Sequence, residues 1–290
     1  MAVVVLGALL APPLYWAGQS LAAQGVLPFL AAFDFERFFH RSLLIAGLIL
    51  LWPLFRSIQV RKLADLALVP NPRSKRDLLA GFLLAAIPLL CGGAILVALH
   101  VYTPRWTLTG SALAKLLGSV AVVPLIEEGF FRGLLLGILL RSGRKYLAMF
   151  ITSAVYSIVH FLKAPEQTSP VVTWLSGFNS IAHSFHQFGD ATLLLAAFTT
   201  LFVVGWILAD ARLRTNSLWL SIGLHAGWIF GNGIFNRFVR RRALVLGLPW
   251  MGKNLLVGLI PLSICVLTWL LIWTWLKRDV TRKVENPSNK

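Results

Sequence analysis

Charge is what this sequence has least of. Of its 290 residues only 13% are charged, and just 11 are acidic. A soluble domain typically carries about 25% charged residues and about 45–50% apolar ones. Here 57% are hydrophobic and mean hydropathy is +0.75. So little charge cannot cover a water-facing surface, which excludes an ordinary soluble domain. Cysteine is almost absent as well. Cys91 and Cys265 both lie inside apolar runs, so neither a disulfide framework nor a cysteine metal site is indicated. No basic segment precedes the first apolar run, so that run is expected to be retained rather than removed as a signal peptide. No internal repeat is visible.

What remains is a set of apolar runs about as long as a bilayer-crossing helix requires. Eight spans are expected, at roughly 2–31, 42–56, 78–100, 111–140, 146–162, 191–210, 216–235 and 254–276. The fold class that follows is all-α: a polytopic transmembrane helix bundle forming a single integral membrane domain over residues 1–290. The first run is interrupted by Pro12, Pro13 and Gly25, which favours a kinked helix or a shorter span followed by an interfacial segment.

The formal net charge is +16. Its basic residues stand in short clusters between apolar runs, the pattern of anchors facing anionic headgroups rather than of a nucleic-acid surface. Membrane lipids are therefore expected partners and nucleic acid is not. With the N-terminus cytoplasmic, loop 56–77, Arg141 to Lys145, Arg212, Arg214 and the tail from Lys277 fall inside. That arrangement places sixteen basic residues inside against nine outside and implies cytoplasmic termini, although Arg240, Arg241 and Arg242 run against it. The compact build suggests a bacterial inner membrane. The longest connection, about 163–190, contains Trp174, Phe178, His183 and His186. A loop of that length is commonly a lid, a re-entrant segment or a disordered stretch. The two histidines have the spacing of a helical metal pair, but surface placement explains them better.

The fourth run, VVPLIEEGFFRGLLLGILL, carries Glu127, Glu128 and Arg132 near its middle. Each charge at a helix centre costs roughly 2.5–3.5 kcal/mol on insertion scales, so the three must compensate one another. Glu128 and Arg132 are four apart and share a face. Glu127 lies about 100° round the helix and is left for another partner. A buried brace would need only one such pair, whereas two adjacent carboxylates suit a general base or acid. Tyr156 and His160 share a face of the fifth run. His225 and Asn232 share one on the seventh, among the small residues Gly223, Ala226, Gly227 and Gly231, which allow close helix approach. Alone, His160 reads more readily as a hydrogen-bonded core residue than as a catalyst, and His225 is ambiguous. Together the set contains a base, imidazoles and an amide donor, the parts that activate water and stabilise an oxyanion.

These segments in this order resemble the CPBP family of CAAX proteases and bacteriocin-processing enzymes, also called Abi proteins. Its EExxxR motif is met by Glu127, Glu128 and Arg132. Its aromatic-xxx-His motif is met by Tyr156 and His160, with Tyr where Phe is usual. Its third motif begins at His225, with Ile229 where Asn is usual and Asn232 one turn on. The similarity covers a core at about 111–235. The resemblance implies an intramembrane endopeptidase acting on a membrane-associated peptide or protein. Glu127 would activate water, His160 and His225 would position it or bind a metal, Glu128 would pair with Arg132, and Asn232 would donate to the oxyanion. Zinc held by Glu127, His160 and His225 is one form of such a site; a metal-independent glutamate protease is the other. Two other readings fit the same buried cluster. One is a proton-coupled transporter; the other is a non-catalytic immunity or scaffold member of the family.

Overall fold

The computed structural model describes residues 2–57, 62–69, 71–105, 107–161, 171–184, 191–242, 247–252 and 255–285. Among them the chain is almost wholly helical. Its helices are α1 (Ala2–Ala23), α2 (Phe35–Ser57), α3 (Ser74–Ala98), α4 (Gly110–Glu128), α5 (Leu136–Leu140), α6 (Lys145–Phe161), α7 (Ser176–Ser184), α8 (Ala191–Thr215), α9 (Trp219–Phe238) and α10 (Leu259–Glu285). A π-helical segment, Gly129–Leu135, joins α4 to α5 without a break. Each of the eight expected runs contains helix among the described residues. Four helices are long and apolar enough to cross a membrane: Ala2–Ala23, Ser74–Ala98, Ala191–Thr215 and Leu259–Lys277.

The chain groups into two compact units: residues 1–61 with 159–190, and residues 62–158 with 191–290. In the first, α1 continues through Pro12 and Pro13 and stops short of Gly25, which takes a positive φ of 73° that glycine adopts at little cost. A 3₁₀ turn, Pro28–Ala32, follows. The hydroxyl of Ser42 on α2 lies 2.6 Å from the Gly7 carbonyl of α1. From the long connection, α7 packs on α1 so closely that a Cβ on Gly177 would strike the Ala8 backbone. Trp174, just ahead of α7, meets Trp16 edge to face at 4.8 Å. His186 lies outside the described residues, and Nδ1 of His183 is 2.7 Å from the Asn179 carbonyl one turn back on α7.

The second unit is organised by the contact between α3 and α9. A Cβ on Gly223 would collide with the Leu78 carbonyl, and one on Gly227 with the Phe82 carbonyl. The small residues seen in the sequence thus let two backbones touch, as in other small-residue helix pairs. Ala85, Leu89, Leu220, Leu224, Trp228 and Phe235 fill the core around that seam. At one end of it, β1 (Tyr102–Pro104) pairs antiparallel with β2 (Val239–Arg241), with Tyr102 opposite Arg241. Alternation signals are weak over three residues, and this two-stranded ladder has no counterpart in the sequence reading. Beside it, Thr109 caps α4 by accepting from the Ala112 amide at 3.2 Å.

Candidate active site

The interlock of α3 with α9 fixes which way His225 points. Gly223 faces α3, and His225, two residues on, is turned about 200° from it. His225 therefore projects away from α3, toward the carboxylates at the end of α4. Its Nδ1 lies 2.8 Å from Glu128 Oε1, and its Nε2 lies 3.8 Å from Glu127 Oε2. The imidazole stands between the two adjacent glutamates and addresses one with each ring nitrogen.

Glu128 is at the last position of α4, immediately before the π-helical segment. Widened π turns inside helices recur at functional sites. Here the widening spans the stretch that carries Arg132. The guanidinium donates to Glu128 Oε1 at 2.9 Å, and both side chains are 0% exposed. It also donates to the Gly205 carbonyl of α8 at 3.2 Å. A Cβ on Gly205 would crowd the Ser153 backbone of α6, so that glycine keeps α8 close to α6. The Arg132 guanidinium lies 4.4 Å from the Tyr156 ring centroid. That ring meets Phe131 edge to face at 5.1 Å and His225 at 6.3 Å. Arginine is suited to this setting because its planar fork can pair with a carboxylate and stack on an aromatic at once.

The arrangement fixes which ring nitrogen donates. A carboxylate only accepts hydrogen bonds. With Glu128 Oε1 accepting from both Arg132 and His225, Nδ1 carries a proton, and in the neutral imidazole Nε2 is then an acceptor facing Glu127. Glu128 does more than the sequence spacing indicates: it compensates Arg132 and also orients His225. Glu127 is the more exposed member of the pair, with 28% of its side chain exposed, although the Oε2 that faces His225 is itself buried.

The described geometry thus joins Glu127, Glu128, Arg132 and His225. Asn232 follows two turns along α9 on the same face. Its Oδ1 is buried and has no hydrogen-bond partner among the described residues. The same holds for Trp228 Nε1 and Glu128 Oε2. His160 stands one turn beyond Tyr156, exposed, in the last turn of α6, and groups with the first unit. Of the expected zinc donors, Glu127 and His225 come together. Among the described residues no group of three His, Cys, Asp or Glu side chains is arranged to hold a metal. Two donors fall short of the three that a catalytic zinc takes from protein, so no step below is routed through a metal. Sequence reasoning missed the Gly205 carbonyl and the Tyr156 ring as supports for Arg132. A backbone acceptor leaves no mark in sequence; Gly129 and Gly133 inside a helical run were the faint sign of the π segment.

An all-α membrane protein with a buried arginine–carboxylate–imidazole relay opening on a second carboxylate is the class that fold and site define. Residues 109–231 match the family model described as type II CAAX prenyl endopeptidase, Rce1-like. The chain carries a CPBP-family domain over that segment. The match includes Glu127 through His225 and stops one residue before Asn232. No curated protein and no solved structure matches the chain.

Proposed function

We propose that the protein is an intramembrane endopeptidase in which Glu127 activates the water that cleaves a peptide bond. The observation that carries this reading is the 3.8 Å separation between Glu127 Oε2 and His225 Nε2. It is too long for a hydrogen bond. A single water at about 2.8 Å from each atom would close a triangle with them. Such a water gives one hydrogen to each acceptor and turns a lone pair outward. Glu127 takes the proton as the oxygen attacks the scissile carbonyl, and then delivers it to the departing amine. His225 holds the water's orientation, and Glu128, fixed by Arg132, holds the ring. This division supports a base on a partly exposed side chain and an orienter on a buried one.

Asn232 is seven residues from His225, about 10 Å along the helix axis. We assign its amide to the substrate backbone beyond the reacting carbonyl. The substrate class is a peptide anchored in or on the membrane; the prenylated C-terminal tail in the family's description is the first to try. In this reading the termini are cytoplasmic and the membrane is a bacterial inner membrane. Reconstituted protein should cleave such a peptide, and Glu127→Gln should lower turnover by about 10²–10⁴-fold while insertion and thermal stability stay at wild-type level. Full activity in Glu127→Gln would sink the mechanism. Substrate flux without any cleaved product would favour a proton-coupled carrier, and function retained without Glu127 a scaffold.

A further inference from the structure

In the second unit, the start of α3, the end of α8 and the end of the α10 span Leu259–Lys277 meet around a cavity of about 560 Å³. Arg73, Asp77, Arg214, Trp273, Trp275 and Lys277 are among its lining residues. We propose that this cavity binds the phosphate headgroup of an anionic phospholipid.

Charge is the first argument. Arg214 pairs with Asp210 at 2.7 Å, and that carboxylate also accepts from the Trp269 indole at 3.0 Å. Asp77 lies 3.9 Å from Arg76. The described lining thus brings Arg73, Arg214 and Lys277 together with one carboxylate, Asp77, and Arg76 stands beside it. The N-terminal end of α3, a helix of 25 residues, adds its own partial positive charge. Depth is the second. The Lys277 ammonium sits 3.5 Å from the centroid of the Trp273 ring, and the Arg76 guanidinium 5.0 Å from that of Trp275. Tryptophan with basic residues at the ends of spans marks the level of lipid headgroups. The third argument separates a lipid from a free ion. Leu79, Leu83 and Ile87 form an exposed stripe leading away from this end of α3, and Trp273, Leu270 and Val266 form another on α10. A phosphate held at the cavity has apolar flanks on which its acyl chains can lie. The volume is within the roughly 300–1,000 Å³ of small-molecule sites, well beyond what one inorganic ion fills.

The test uses the full-length protein in detergent, offered equal amounts of dioleoyl phosphatidylglycerol and dioleoyl phosphatidylcholine and read by native mass spectrometry. Wild type should retain the glycerol lipid with roughly tenfold preference, and Arg73→Gln with Lys277→Gln should bring that ratio close to one. Arg105→Gln with Arg240→Gln, at the other end of the unit, should leave it unchanged. Wild-type retention of both lipids alike overturns the proposal without reference to any variant. So does equal loss of preference in both double variants, which would mean general charge attraction. Displacement of the lipid by excess inorganic phosphate would make this an ion site and overturn the lipid assignment; survival of the lipid supports it.

Discussion

Glu128 and Arg132 offer the sharpest test, because one pair carries both a folding and a chemical argument. Both side chains are 0% exposed and 2.9 Å apart. Replacing Glu128 with Gln leaves the guanidinium with the Gly205 carbonyl and the face of Tyr156, neither of which neutralises it. Removing one partner of a buried ion pair costs about 3–5 kcal/mol, while replacing both with well-packed neutral groups is often close to neutral. Glu128→Gln and Arg132→Met should therefore each destabilise by about 3–5 kcal/mol. The double variant should recover most of that loss, since a methionine can pack on Tyr156 and Phe131 in place of the guanidinium. The cycle should return a coupling of at least about 4 kcal/mol, since two losses of about 3–5 kcal/mol each shrink to about 1–2 in the double variant, read by reversible unfolding in mixed micelles. Proteolysis should not follow stability. In the double variant His225 no longer faces a carboxylate at Nδ1, the group that leaves Nε2 as the acceptor for water. Turnover should stay about 10²-fold or more below wild type although the fold has returned. Additive single effects would refute the compensated-pair argument. Recovery of turnover together with stability would refute the orienting role of Glu128.

Asn232→Ala should raise KM by about tenfold with little change in kcat, because its amide is placed about 10 Å along α9 from His225; a fall in kcat at constant KM would return it to the oxyanion. Gly223→Ala should destabilise by about 1–3 kcal/mol and lower activity, since its Cβ would meet the Leu78 carbonyl and push α9, with His225, off α3. Gly137→Ala serves as its control: nothing stands within contact distance of a Cβ there, and unchanged unfolding is expected.

The all-α class and the approximate positions of the long helices were legible because they rest on composition and length, which act residue by residue. Half of the site was legible for the same reason. A carboxylate and a guanidinium four apart on an apolar helix have to pair, and Glu128 and Arg132 do. The other half depends on rotation between helices, which no single run encodes. That His225 meets both glutamates follows from the depth to which Gly223 and Gly227 let α9 sink against α3. The sequence marked those glycines as permissive without saying which neighbour they would admit. The π segment was hidden for a related reason. Gly129–Leu135 has ordinary helical composition, and its widening concerns only where the backbone bonds go. The β1–β2 ladder was too short to register, yet it captures Arg240 and Arg241, part of the basic run that departs from the charge bias of the other loops.

These placements bear on why two glutamates are adjacent here when one buried brace would do. The brace uses Glu128 through a single oxygen, Oε1, which accepts from Arg132 and from His225 together. That sharing converts a structural charge into an orientational one: the guanidinium anchors the carboxylate, and the carboxylate sets which imidazole nitrogen faces outward. A lone glutamate could not then also act as base, because its acceptor capacity toward the histidine is already engaged and it has no exposure from which to meet water. Glu127 supplies the missing function one residue away, turned about 100° and 28% exposed. It reaches the opposite side of the same ring. Adjacent carboxylates on a helix diverge enough to hold a histidine between them only if that histidine arrives from a second helix at a fixed rotation, and the α3–α9 glycine seam supplies that rotation.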